Sequence, residues 1–290
     1  MGDFRIDFEG EPWRIRPARE PLRPIVASIP HAGVAVPPPI AARFASKAIS
    51  GLPMTDWDLD ELYDFLPELG IVTLIATQSR FVADCNRPPK GEALYPGRFE
   101  TGLVPTRTFD GDPVWTEVPD AAWVEEARLR VWQPYHDRLR ALLDQWHGRF
   151  GRIVLLDLHS VSSLPNRISP ALVEEIFLGD RDGQSAECGV RESIRQAYIE
   201  EDFTVSVNHP YQGGYIPAHY GRPPAVQAVQ IEMAERVYLD EQKPGNRDPV
   251  RWREARERIR RVWERFVPAF DPKPGMGQTG SSRGGASGSQ

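Results

Sequence analysis

The chain has 290 residues, 40 % of them hydrophobic and 26 % charged, with a formal net charge of −6, the balance of a soluble globular protein. That charge supplies no overall basic field for nucleic acid or an anionic membrane, no run approaches the ~18 apolar residues of a membrane span, and the opening MGDFRIDFEGEPWRIRP holds no secretory h-region. The two cysteines, Cys85 and Cys188, stand outside any Cys-x-x-Cys spacing, which argues against a disulfide framework or a zinc knuckle and for a reducing cytosol.

After a polar opening segment, PIVASIP (Pro24 to Pro30) is a short apolar run between prolines, the pattern of a first buried strand ending at His31. In TDWDLDELYDFLPEL, Trp57, Leu59, Leu62, Tyr63 and Leu66 keep near-helical spacing, so a short helix is expected to begin close to Asp56. GIVTLIAT reads as the next strand. From Gln78 to Trp115 the chain is rich in Arg, Pro and Gly, the composition of a long functional loop. Pro119 to Phe150 predicts the longest amphipathic helix, and RIVLLDLHS (Arg152 to Ser160) follows it as a buried strand. ALVEEIFLGD, a helix around AECGVRESIRQAYIE, FTVSVN and AVQAVQIEM continue the alternation, and a strongly charged helix from about Pro249 to Phe266 closes it. The pattern predicts an α/β fold with a mixed, mostly parallel sheet. A single domain is expected over residues 1–272, with 273–290 a Gly- and Ser-rich disordered tail.

In open α/β sheets, ligands bind beyond the carboxyl ends of the strands. Three apolar runs here end in reactive side chains, IVASIPH in His31, IVLLDLHS in His159 and AVQAVQIE in Glu232. Two imidazoles and an acid at strand ends suit hydrolysis at zinc, which takes His and Asp or Glu in a tetrahedral shell and keeps one position open for water. Glu232, left unbound, would be the general base. Asp56 is the candidate third ligand because it sits at an expected helix start between the two histidines in sequence. It would equally suit a helix N-cap, and Asp58 and Asp60 compete for the same place. Asp157 shares a strand face with His159 and could hydrogen-bond a ligand from behind. Ser160 points the other way, and no Gly-x-Ser-x-Gly elbow marks it as a nucleophile.

SRFVADCNR then places Arg80, Asp84, Asn86 and Arg87 within eight residues. A solvated loop with a local ion pair is one account of them. The other is recognition of a substrate with a free carboxylate, since guanidinium grips a carboxylate through two parallel hydrogen bonds. A second Arg could polarise the scissile carbonyl.

With those residues in place, the chain resembles the N-formylglutamate amidohydrolases, which release formate from N-formyl-L-glutamate at the end of one histidine-degradation route. The matching words are SIPHAG, TDWDLDELYDFL, SRFVADCNRP, TGLVPTRTFDGDPVW, QPYHDRL, LLDLHS, NHPYQGGYIPAHYG and QAVQIEM, in order from about Ser28 to Glu241. That family is similar in turn to the zinc carboxypeptidases and aspartoacylases, so the resemblance implies a three-layer α/β/α fold. It also implies one zinc ion held by His31, Asp56 and His159, with Glu232 activating water and Arg80 steadying the oxyanion. Asn86 and Arg87 would bind the α-carboxylate. The distant relatives carry an acid three residues after the first His, where this chain has Val34, so the carboxylate ligand must come from further on.

His136, within QPYHDRL, and Tyr215 are further candidate substrate contacts. His147 is expected to complement the end of its helix. His209, Tyr211, His219 and Tyr220 flank a Gly-Gly pair that could fold over substrate as a lid. Two other functions fit the same residues. One is a zinc hydrolase of another N-acyl amino acid or small peptide. The other is a non-catalytic protein that binds acidic metabolites.

Overall fold

The computed structural model describes residues 5–94, 97, 100–166, 170–243 and 247–271; the tail expected at 273–290 lies outside them. Seven strands share one sheet: β1 (Trp13–Arg16), β2 (Ile25–Ile29), β3 (Val72–Ala76), β4 (Ile153–Val161), β5 (Ile176–Gly179), β6 (Val205–Val207) and β7 (Val226–Ala234). Their spatial order is β1-β3-β2-β4-β7-β5-β6. The pairs β3–β2, β2–β4, β4–β7 and β5–β6 are parallel, whereas β1–β3 and β7–β5 are antiparallel. The sheet is mixed and mostly parallel, as the alternation of apolar runs and helical patterns predicted.

Three short helical turns, α1 (Pro38–Ala41), α2 (Lys47–Ser50) and α3 (Leu59–Leu62), lie between β2 and β3. The long helical stretch consists of α4 (Ala121–Ala127), a π-helical turn at Arg128–Trp132, and α5 (Gln133–Phe150). Asp120 sets its start by accepting from the Trp123 N–H at 2.9 Å, the N-cap geometry that satisfies an otherwise orphan donor. α6 (Cys188–Glu200), α7 (Tyr215–Tyr220) and α8 (Pro249–Phe266) complete the set, and Asp248 caps α8 directly before a proline in its first turn.

Two apolar clusters cover the two faces of the sheet. On one, Val26, Leu74, Leu155 and Ala228 pack against Trp123, Val131 and Leu139 of the α4–α5 stretch. On the other, Ala27, Ile75, Leu156 and Ile231 meet Ile194 of α6 and Ile259 and Trp263 of α8. This is the helix-sheet-helix layering of an α/β domain.

Two expectations differ from the structure. The opening segment is not merely polar: Trp13–Arg16 is an edge strand, with Trp13 and Ile15 packed on the first cluster. It is only four residues long, too short for a period-two pattern to stand out. The helix expected near Asp56 begins instead at Leu59, and Asp58 before it has a left-handed φ of 57°.

The face that carries α5 holds the chemistry. By the period-two rule, Asp157 and His159 continue the stripe of Ile153 and Leu155 on β4, and Gln230 and Glu232 continue that of Ala228 on β7. In the parallel register Asp157 stands beside Gln230, and His159 beside Glu232. The apolar stripes thus turn polar together at the carboxyl ends of adjacent strands.

Candidate metal centre

His31, Asp56 and His159 come together at those strand ends, all buried, with one donor atom from each lying within 4.8 Å of the others. Asp56 Oδ2 is 3.2 Å from His159 Nδ1 and 3.8 Å from His31 Nδ1. Tetrahedral zinc with ligand bonds near 2.0–2.2 Å would separate its donors by about 3.4 Å, and the two distances from Asp56 lie on either side of that spacing. Backbone geometry brings the acid here: the Asp56 N–H donates to the His31 carbonyl at 3.1 Å, and Asp56 Oδ2 accepts from the Ser160 N–H at 3.2 Å. The competing acids are engaged elsewhere. Asp58 pairs with Arg247 at 2.7 Å, and Asp60 pairs with Arg14 and Arg16 of β1. Nor does Asp56 cap a helix, since α3 starts three residues later.

Each imidazole is oriented by a carboxylate on its far side. His31 Nε2 donates to Asp84 Oδ1 at 2.7 Å, and Asp84 Oδ2 accepts from Arg80 Nε and Nη2 at 3.2 and 2.7 Å. His159 Nε2 lies 3.0 Å from Asp157 Oδ2. The Asn86 amide is held at both ends: its Oδ1 accepts from the Ile216 N–H at 2.8 Å, and its Nδ2 donates to Asp157 Oδ2 at 3.1 Å and faces His159 Nε2 at 3.0 Å. His159 Nε2 therefore has both an acceptor, Asp157, and a donor, Asn86, within reach, and the carboxylate can take its hydrogen when Nδ1 is turned to a metal. With their Nε2 hydrogens directed to Asp84 and Asp157, both rings would present an Nδ1 lone pair beside Asp56, the carboxylate–histidine pattern that supports metal ligands.

Burial, then the Arg80 guanidinium, hold His31 below its ordinary pKa. Burial alone would also lower His159, but Asp157 and Glu232 outweigh it and raise that ring well above the usual value. For Asp84 burial opposes ionisation, yet Arg80, His31 and Arg87 keep the carboxyl well below its usual range. Asp56 is held down too, its hydrogen bond to His159 and the two ring charges prevailing over burial. Two imidazole nitrogens and a carboxylate thus converge, and a cation bound among them would compete with protonation of His159.

Glu232 is next to this cluster. Burial pushes its carboxyl up to about 7, with His159 pulling down and Asp56 and Asp157 pushing further up. Its Oε1 accepts from Gln230 Nε2 at 2.9 Å. Beyond it, Glu235 is buried and pushed up to about 8, first by burial and then by Asp56.

The other sequence candidates divide. Arg80 is buried and commits three N–H bonds, two to Asp84 and one from Nη1 to the Met54 carbonyl at 3.2 Å. Arg87 is half-buried; its Nε donates to Thr101 and its Nη1 to the Asn86 carbonyl. It lines a pocket of about 140 Å³ with Glu92, Glu100 and Thr101. Tyr215 is half-buried near that pocket, its phenol raised by burial and then by Glu92. Asn86 is placed differently from expectation. It is buried with both ends of its amide on protein groups, so it braces His159 and Asp157 instead of facing substrate.

His136 is also not a substrate contact. It is fully buried, its Nε2 donates to the Cys85 carbonyl at 2.8 Å, and its Nδ1 lies 2.9 Å from the Tyr220 hydroxyl. Burial drives its pKa down to about 3, so it is a neutral strut under the loop that carries Asp84 and Asn86. The Gly-Gly pair is no lid hinge either. Gly213 and Gly214 are buried, and the Gly214 N–H donates to Gln230 Oε1 at 2.6 Å. Tyr211 packs edge-on to Phe177, His219 stacks on Tyr215, and His147 lies in the last turn of α5 as expected. In the sequence Asp84 suggested only a local ion pair, not the support of His31, and Gln230 drew no role. A polar residue two positions before two of the three candidate strand-end residues, Asp157 before His159 and Gln230 before Glu232, was the available signal for Gln230.

Among the described residues no helix is long and apolar enough to cross a membrane, and both cysteines are free, Cys85 buried and Cys188 exposed. The family model for N-formylglutamate amidohydrolase matches residues 23–239. An N-formylglutamate deformylase of Pseudomonas putida is 35 % identical over 225 residues, 76 % of this chain and 84 % of that protein. One from Pseudomonas aeruginosa is 36 % identical over 229 residues, with the same shares of each chain covered. The fold is similar to the crystal structure of an N-formylglutamate amidohydrolase from Ralstonia eutropha, with a TM-score of 0.76 at 24 % identity, covering 89 % of this chain and 98 % of that one.

Proposed function

The chain belongs to the N-formylglutamate amidohydrolase family, and on that premise we propose that it hydrolyses N-formyl-L-glutamate to formate and L-glutamate with one zinc ion held by His31, Asp56 and His159. The observation that carries this reading is the convergence of two carboxylate-backed Nδ1 atoms and Asp56 Oδ2 beside Glu232. Zinc bound there would polarise the formyl carbonyl and acidify water. Glu232 takes the proton of the attacking water and returns it to the departing amine, a role that its elevated pKa of about 7 suits, since a general base works best near the operating pH. Arg80 keeps one N–H on each Nη outside the bonds it makes to protein, and those two donors serve the developing oxyanion. Arg87 takes the substrate carboxylate, its head already aimed by Thr101 and the Asn86 carbonyl, and Tyr215 flanks it. The products belong to the end of histidine degradation, in a reducing cytosol that the two free cysteines support.

The test is zinc content together with formate release. Purified protein is expected to hold about one zinc per chain and to cleave N-formylglutamate faster than N-acetyl- or N-succinylglutamate. Glu232→Gln is expected to keep the metal and lose on the order of 10² to 10⁴ in kcat. Faster cleavage of another N-acyl amino acid moves the assignment to that substrate. Wild-type turnover in the variant removes Glu232 from the chemistry.

A further inference from the structure

We infer that Gln230 is a positioning residue for Glu232, a step that rests on the reading of Glu232 as general base. The two side chains share a face of β7 two residues apart, and Gln230 is buried. Its amide has one orientation available. Oε1 accepts from the Gly214 N–H at 2.6 Å, which turns Nε2 to Glu232 Oε1 at 2.9 Å. The flipped amide would set two donors against each other at Gly214 and two acceptors against each other at Glu232, each an unmade bond in a buried place.

The backbone that locks this amide is itself held by close packing. Gly179 is the register neighbour of Gln230 on β5, and a Cβ there would meet Gln212 and Gly213 backbone at 2.6 Å. A Cβ on Gly214 would meet Asn86 Nδ2 at 2.5 Å. Only because both positions are glycine does the 212–214 segment lie flat beside Gln230, with Gly214 against the amide that braces His159. Gln230 therefore joins the support of the histidine ligand to the proposed base, and its donor fixes which Glu232 oxygen is occupied and which is free to take a proton.

Two variants separate this role from that of a strut for Gly214. Gln230→Glu keeps an acceptor for the Gly214 N–H and loses the amide donor to Glu232; Gln230→Met keeps the length and loses both. At a pH high enough that neighbouring carboxyls do not share a proton, Gln230→Glu is expected to lose about 10- to 100-fold in kcat. Its KM is expected to stay within about twofold and its zinc content at the wild-type level. Gln230→Met is expected to lose at least as much. Wild-type kcat in Gln230→Glu overturns the inference, as does a kcat loss in both variants that their loss of zinc accounts for. Glu232→Gln run beside them tells the two readings apart. If it has lost turnover while Gln230→Glu has not, only the positioning role fails; if both turn over at the wild-type rate, the assignment of Glu232 fails with it.

Discussion

Asp84 serves two partners with two oxygens, Oδ1 accepting from His31 and Oδ2 from Arg80. Asp84→Asn keeps the shape and removes the charge that Arg80 balances and that makes His31 a better ligand, so zinc affinity is expected to fall about 10- to 100-fold in a chelator competition titration. Unchanged affinity would show that His31 needs no support. His136 gives a prediction of another kind. Its folded pKa of about 3 lies below the ~6.5 of an unfolded histidine. Between those values the unfolded chain binds a proton that the folded one refuses, so stability falls as pH drops through this window and is unaffected above it. One residue contributes up to about 1.4 kcal/mol per pH unit. Urea unfolding of His136→Gln is expected to show a shallower loss of stability between about pH 6 and pH 4 than the wild type; parallel curves would sink the idea. The sequence pointed to His136 because it lies in a family word, but both ring partners, Cys85 and Tyr220, are distant in the chain, and nothing local announces a buried, satisfied ring.

At the scale of elements, strands β4 and β7 were legible because each is a nine-residue strand with an apolar opening that turns polar toward its carboxyl end. What lies between elements was not. Thr55 to Asp60 offered three acids, and the choice among them is made by contacts from elsewhere: Arg247 takes Asp58, Arg14 and Arg16 of β1 take Asp60, and the His31 carbonyl fixes Asp56. The Gly-Gly pair shows the same limit, because a glycine needed for flexibility and one needed for close approach look alike in sequence. Gly214 has an extended backbone with φ of −80°, so its requirement is space and not conformation. Gly214→Ala is accordingly expected to cost about 1–3 kcal/mol through overpacking on Asn86 and to weaken zinc binding, both read by thermal melts with and without metal. Adding Asn86→Ala relieves the overpacking but strands the Ile216 N–H and Asp157, so it is expected to restore neither the stability nor the zinc affinity. A single variant as stable as wild type would argue that the segment moves freely.

The whole molecule sets three candidate ligands, from the ends of β2 and β4 and the turn before α3, around one buried point, and the unfolded chain has no such arrangement. Metal that binds only the folded state stabilises it by mass action, about 2.7 kcal/mol at a hundredfold excess over Kd. How much depends on pH through the ligands themselves. In the metal-free protein His159 is raised above its unfolded value, chiefly by Asp157 and Glu232 acting against burial. Its proton therefore contributes stability that is fully present below about pH 6.5 and is lost as pH rises through the higher folded value. Asp56 and Asp84 are lowered, so what they contribute is present above about pH 4 and lost only in acid. Across the neutral range, then, the metal-free fold weakens with rising pH as the proton between His159 and Asp56 leaves, while zinc meets less competition for the same place. The gap in Tm between zinc-loaded and chelator-treated protein is expected to widen steadily from about pH 6 to pH 8 at fixed free zinc. A gap that stays constant over that interval would mean that the metal does not displace a proton from His159, and the ligand set would have to be sought elsewhere.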